Sequence, residues 1–265
     1  MQGRSLVVSA SLFQLFNRAK TALCALVALA AIFLTMTLTA KTNDEDRVAA
    51  ARKRCEASLR ARFEKAGVKY PAAEVFFRAT KKEAVVELWA NGTAGEKLKL
   101  IATFAVTRNS GGPGPKRVQG DAQVPEGFYE VDRFNPKSLF HLSLGLNYPN
   151  ASDRILSDRE RPGGDIFIHG KCVSIGCLPL GDAAIEEAYL AALDSRTRPV
   201  RVHIFPARMN APDWPAWRDE QAKQKPRLKA FWAQLARGWE LFEKDHRSPV
   251  VTVSKDGAYK CTSGR

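Results

Sequence analysis

Cysteine, histidine and methionine are scarce here: five, four and three among 265 residues. Five dispersed cysteines are too few for a disulfide-held scaffold, and no C-x-x-C pair occurs to mark a zinc or redox site. Internal repeats and low-complexity tracts are also absent. The run Ser110-Gly111-Gly112-Pro113-Gly114-Pro115-Lys116 is rich in glycine but is not a phosphate-binding loop. Its lysine has no Ser or Thr after it, and its prolines remove N–H donors. Acids are outnumbered, 28 against 41 Lys and Arg, for a net charge of +13. Such a surplus suits nucleic acid, an anionic membrane face or an anionic polymer such as a cell wall. Because the basic residues are interspersed with acids, with no finger spacing or base-stacking signature, nucleic acid is not an expected partner.

With 45% hydrophobic residues, 265 residues make one globular domain and at most a small second one. Residues 1–20 carry Arg4, Arg18 and Lys20 and no acid, and read as a basic cytoplasmic segment. Residues 21–40 follow without a charge, long enough as a helix to cross about 30 Å of hydrocarbon. Positive charge before this span and Asp44-Glu45-Asp46 after it put the amino terminus in the cytoplasm and the rest outside the inner membrane. The segment is read as a transmembrane anchor, with a cleaved signal peptide as the alternative.

Residues 41–70 are assigned to a helical spacer, either free or packed on the domain: Val48, Ala51, Cys55, Leu59 and Phe63 recur at helical spacing, and Gly67 stops the helix. A disulfide between Cys55 and Cys261 is open in an oxidising compartment. Strands are expected at 75–78, 84–90, 98–107, 128–131, 139–144, 200–205 and 250–254. Asp182 is placed as the N-cap of a helix to about Leu193. Leu228, Phe231, Trp232, Leu235, Trp239 and Phe242 form one face of another helix, read as a core contact.

The chemistry concentrates in Asp165-Ile166-Phe167-Ile168-His169-Gly170-Lys171-Cys172-Val173-Ser174-Ile175-Gly176-Cys177-Leu178-Pro179. An apolar strand delivers His169, and a Gly-punctuated turn brings Cys177 back toward it. An imidazole near a thiol can take its proton and later return it to a leaving amine. Gly176 lets a substrate approach the peptide, and the N–H groups of Gly176 and Cys177 can hold an acyl oxyanion. Ser174 can orient the imidazole or line the site. Other readings fit the same spacing: His169, Cys172 and Cys177 as metal ligands, a local Cys172–Cys177 disulfide, or a buried structural cysteine.

His169-Gly170 followed by Ser174-x-Gly176-Cys177 resembles the active-site signature of the YkuD-type L,D-transpeptidases. Gly114-Pro115-Lys116, Gly120-Asp121 and Pro125-Glu126-Gly127-Phe128-Tyr129 resemble that family's upstream landmark, so the likeness covers roughly 75–206. The short His–Cys gap, Asn147-Tyr148-Pro149-Asn150 and His203-Ile204-Phe205-Pro206 look most like the YafK-like branch.

The resemblance implies a mainly β catalytic domain with helices (α+β), a β-sandwich over 71–210; beyond it the residue pattern reads as a helical extension and closing strand over 211–265. It implies Cys177 as nucleophile and His169 as base, with His203 as the rival base; Gly170, Tyr148, Asp121 and His203 are substrate-side candidates. Peptidoglycan stem peptides are the implied substrate, a wall-attached lipoprotein an implied partner, and no metal or organic cofactor is expected. Many relatives carry an arginine two residues after the cysteine, where this chain has Pro179. Proline cannot clamp a carboxylate. Hydrolysis on the same fold is therefore an alternative to crosslinking, and a membrane-tethered wall-binding protein without catalysis is a second one.

Overall fold

The computed structural model describes residues 47–223 and 225–264. The chain divides into two units, Met1–Arg47 and Val48–Arg265. The expected basic segment at 1–20 and apolar span at 21–40 lie outside the described residues. Among those described, no helix is long and apolar enough to cross a membrane.

Helix α1 occupies residues 47–65. Ala51, Cys55, Leu59 and Phe63, four residues apart, form one stripe, and all four are buried in the main core. Gly67, with φ +62°, ends the helix, as Val68 N donates to Phe63 O and Gly67 N to Glu64 O. The helix is therefore packed on the domain and is not a free spacer.

Eight strands form one sheet: β1 (Glu74–Thr80), β2 (Val85–Asn91), β3 (Lys99–Ala105), β4 (Gly127–Asn135), β5 (Ser143–Leu146), β6 (Phe167–His169), β7 (Leu178–Pro179) and β8 (Arg201–Phe205). Their order is β3-β2-β1-β8-β4-β5-β6-β7. The β1–β8 and β6–β7 pairs are parallel, whereas the other pairs are antiparallel. The expected two-sheet sandwich is instead a single mixed, curled sheet. Helices cover both of its faces, so β1 reads Val-Phe-Phe-Arg-Ala-Thr with every one of these residues buried. Strand β5 begins at Ser143, not 139, because His141 takes a left-handed backbone, φ +74°, that no strand accommodates.

One face packs on α1 and α3 (Asp182–Asp194), after the short helix α2 (Ala151–Leu156). Ion pairs tie α1 to α3: Arg52 to Asp194 at 2.7 Å, Arg54 to Glu186 and Arg62 to Glu187 at 2.9 Å. Asp182 is the first residue of α3, not its cap; Gly181 holds the cap position and the Asp182 carboxylate accepts Lys171 N at 2.8 Å. The other face takes α4 (Trp214–Ala222) and α5 (Arg227–Asp245), with the hairpin β9 (Val250–Val253) and β10 (Tyr259–Thr262) beside them. The aromatic stripe of α5 is buried against Phe128 and Phe205 of the sheet.

Between that face and the Gly/Pro-rich loop lies Glu126, fully buried. Its carboxylate accepts Lys81 Nζ at 3.0 Å, Gly114 N at 2.9 Å and Trp232 Nε1 at 2.7 Å. A buried charge satisfied on every side fixes geometry, because removing any one partner leaves it desolvated. Cys55 and Cys261 are both free thiols, so the pairing left open by the sequence does not form; Cys55 sits on the buried face of α1 and Cys261 beside Gly238 of α5.

Because α1 is part of the core, Phe63→Ala should cost about 3–5 kcal/mol, read by urea denaturation of the chain from residue 47 onward. A cost below about 1 kcal/mol would contradict this packing.

Candidate active site

The site sits at the end of the sheet where β5, β6 and β7 run side by side. His169 closes β6, facing Ser143 on β5 and Pro179 on β7 in the ladder. Ile168 and Leu178 are ladder partners and both lie in the core. His169 alternates with Ile168 on β6, and Cys177 directly precedes β7.

His169 is only 1% exposed, and the Phe140 ring lies 4.7 Å from its imidazole. Nδ1 is 2.6 Å from Gly170 O. A carbonyl only accepts, so Nδ1 carries the hydrogen and Nε2 keeps its lone pair. Burial pulls the histidine pKa down, and the Gly170 carbonyl offsets part of that shift. The ring is a neutral base with a fixed tautomer. Gly170 permits this arrangement, since a Cβ there would stand 2.6 Å from Asp182 Oδ1 and 2.7 Å from Phe140 O.

Cys177 is partly exposed, and its Sγ contacts Asp165 O at 3.6 Å. Burial raises the thiol pKa, the Asp165 carboxylate adds to the rise, and the Phe167 backbone and Lys116 oppose it. No hydrogen bond joins Sγ to the His169 imidazole among the described residues; catalytic pairs often tighten only with substrate bound. The resting pair is thus neutral thiol and neutral imidazole, not a preformed ion pair. Gly176 has φ +104° and a would-be Cβ 3.0 Å from Gln123 O, so only glycine fits there.

Among the described residues Ser174 makes no hydrogen bond to His169. Its hydroxyl accepts Cys177 N at 2.9 Å and donates to Cys177 O at 2.8 Å, bracing the nucleophile's own peptide. Ser110, from the Gly/Pro-rich loop, accepts Gly176 N at 2.7 Å. Both amides expected to hold an oxyanion are therefore occupied by serine hydroxyls.

The remaining candidates sit apart from the pair. Asp121 is used up by its own loop, accepting Lys116 Nζ, Arg117 N, Val118 N and Gln123 N. Burial pushes its carboxyl pKa up, yet the Lys116 ammonium and these backbone donors hold it below the usual range. Tyr148 is buried, its hydroxyl donating to Pro162 O at 3.0 Å, so it clamps two loops together and does not face substrate. His203 is buried between Phe76 and Phe128, alternating on β8 with the core residues Val202 and Ile204. Burial there drops its pKa to about 3, a neutral packing residue and no rival base. His141 pairs with Glu186 at 2.6 Å. Pro179 O accepts Thr107 N at 2.8 Å, which stitches β7 to the residues after β3.

Cys172 is an exposed free thiol and forms no bridge to Cys177. Among the described residues, no three or more His, Cys, Asp or Glu side chains gather to hold a metal ion. Ser110, Phe140 and Asp165 carry no local pattern that marks them, since their roles come from contacts made across the fold.

Fold and site together define an α+β protein with a histidine ending one strand, β6, and a cysteine directly before its paired strand, β7. The chain is 34% identical over 186 residues to the Escherichia coli K12 protein named "Putative L,D-transpeptidase YafK", spanning 68% of this chain and 70% of that protein. The Escherichia coli O157:H7 protein of the same name matches equally. The chain belongs to this YafK family. No family model matches. Among solved structures, the helical cell shape determining protein Pgp2 of Campylobacter jejuni is 16% identical over 74% of this chain and 80% of that one, with a TM-score of 0.41. Bd1075 of Bdellovibrio bacteriovorus is 16% identical over 71% and 79%, with a TM-score of 0.40. Scores this low carry neither fold nor function.

A neutral resting pair makes a prediction about pH. With the thiol pKa above its ordinary value, alkylation of Cys177 by iodoacetamide should be slow at neutral pH and climb about tenfold per pH unit through pH 9. Peptide mass spectrometry separates it from the exposed Cys172. A rate already level below neutral pH would indicate a thiolate–imidazolium pair instead.

Proposed function

We propose that this chain is a cell-envelope enzyme of the YkuD-type L,D-transpeptidase class, acting on peptidoglycan stem peptides through an acyl-enzyme at Cys177. The observation that carries this reading is the Nδ1 bond of His169 to Gly170 O, which leaves Nε2 basic at the end of β6, with Cys177 directly before β7, the strand paired to it. Kinship with a protein named as an L,D-transpeptidase and the motif around Cys177 support the same chemistry.

Nε2 of His169 takes the thiol proton as Sγ attacks the amide carbonyl beside the D-centre of a diamino acid. The tetrahedral oxyanion collapses, the C–N bond breaks, and the imidazolium gives its proton to the leaving amine. An incoming amine then yields a crosslink or an attached lipoprotein, and water yields hydrolysis. The outcome depends on which nucleophile reaches the thioester. Pro179 favours the hydrolytic outcome as a second reading, because a buried proline in β7 offers no cation to select a carboxylate-bearing acceptor. Anchoring in the inner membrane through residues 21–40, with the domain in the periplasm, completes the proposal.

Muropeptide mass spectrometry tests it. The native chain should convert stem peptides, to crosslinked products with an amine acceptor and to trimmed ones without. Cys177→Ala should lower turnover by about 10⁴-fold or more while sacculus binding persists. Unchanged product profiles in this variant would leave a wall-binding protein without catalysis. A carbapenem should add its full mass to Cys177 in the native chain and nothing in Cys177→Ala.

A further inference from the structure

The amides of Gly176 and Cys177 are both engaged, but by residues of different origin. Ser174 lies within the nucleophile's own turn. Ser110 arrives from 66 residues upstream, on the loop that follows β3, to accept Gly176 N at 2.7 Å. Its oxygen also lies 3.4 Å from Ser174 Oγ. The proton directions follow from the partners: Ser174 donates to Cys177 O and accepts Cys177 N, and Ser110 accepts Gly176 N with its own hydrogen free to point at Ser174. Both of these amides are therefore engaged at rest.

An oxyanion developing beside Cys177 needs donors about 2.7–3.1 Å away, aimed where its charge appears. The Gly176 amide is positioned for that task, since its carbonyl-side neighbour is the nucleophile itself. The oxygen that fills this position at rest belongs to Ser110. The loop bearing it is held on its far side by Gly112 N donating to Gln123 Oε1 at 3.1 Å, and Gly111 and Gly114 supply left-handed backbone at φ +67° and +111°.

We infer that Ser110 is a positioning residue for acyl transfer: its hydroxyl stands in for the substrate's acyl oxygen at the Gly176 amide, and acylation of Cys177 exchanges one oxygen for the other. This rests on the acyl-transfer reading above. The exchange itself breaks one hydrogen bond and forms another. The covalent step is unchanged: the Sγ–C bond forms, the scissile bond breaks, and the thiol proton passes through His169 to the leaving group.

Two reagents separate this role from a merely structural one. p-Nitrophenyl acetate acylates through an oxyanion, whereas iodoacetamide alkylates by displacement and forms none. In Ser110→Ala, with Cys172→Ser as background, the ratio of acylation to alkylation rate at Cys177 should rise about three- to tenfold, the worth of one neutral hydrogen bond no longer displaced. Ser110→Thr, which keeps the hydroxyl, should restore the native ratio. If the alanine variant does not fold, Ser110→Cys, of similar shape but a poorer acceptor, should move the ratio in the same direction. A ratio unchanged or lowered in these variants overturns the proposal while leaving the acyl-transfer reading intact. A native chain that alkylates but is acylated by neither the ester nor a carbapenem overturns both.

Discussion

The hydrogen bond from His169 Nδ1 to Gly170 O constrains the rest of the site. By fixing which ring nitrogen holds the hydrogen, it turns a buried histidine into a base with one accessible lone pair. The bond needs the Gly170 carbonyl to fold back toward the ring, and a close-packed surround makes it do so. Asp182 Oδ1 and Phe140 O would both lie under 3 Å from any Cβ at this position. Asp182 is held by Lys171 N, and α3, which begins at Asp182, is held by α1 through its ion pairs. The tautomer of one imidazole is therefore tied, contact by contact, to a helix more than a hundred residues earlier in the chain.

Electrostatics around the nucleophile work against an early ion pair. Burial dominates, and the Asp165 carboxylate outside opposes ionisation of the thiol, while Lys116 favours it. Lys116 is itself engaged with Asp121 and Val118 O. The site thus stores no thiolate. Reactivity depends on proton transfer within the encounter with substrate, which keeps an oxidation-prone sulfur in its less nucleophilic form until then.

How far the sequence could be read differs by the range of the interaction. Periodicity located α1 and α5, whose stripes at Leu59, Phe63, Trp232 and Trp239 depend only on neighbours three or four residues away. The short run from Asp165 to Pro179 located the strand ending in His169, because that segment's apolar character is local. The single curled sheet was illegible: β6 and β7 are three and two residues long, and β1 meets β8 across more than a hundred residues. Burial of Tyr148 and His203, and the reach of Ser110 to Gly176, likewise follow from long-range packing that no spacing records.

Long-range nitrogen–proton NMR correlation of the His169 ring, assigned by its loss in His169→Gln, tests the central claim most directly. At neutral pH the account predicts a neutral ring with the hydrogen on Nδ1 and an unprotonated Nε2. A hydrogen on Nε2, or a doubly protonated ring at that pH, would contradict it.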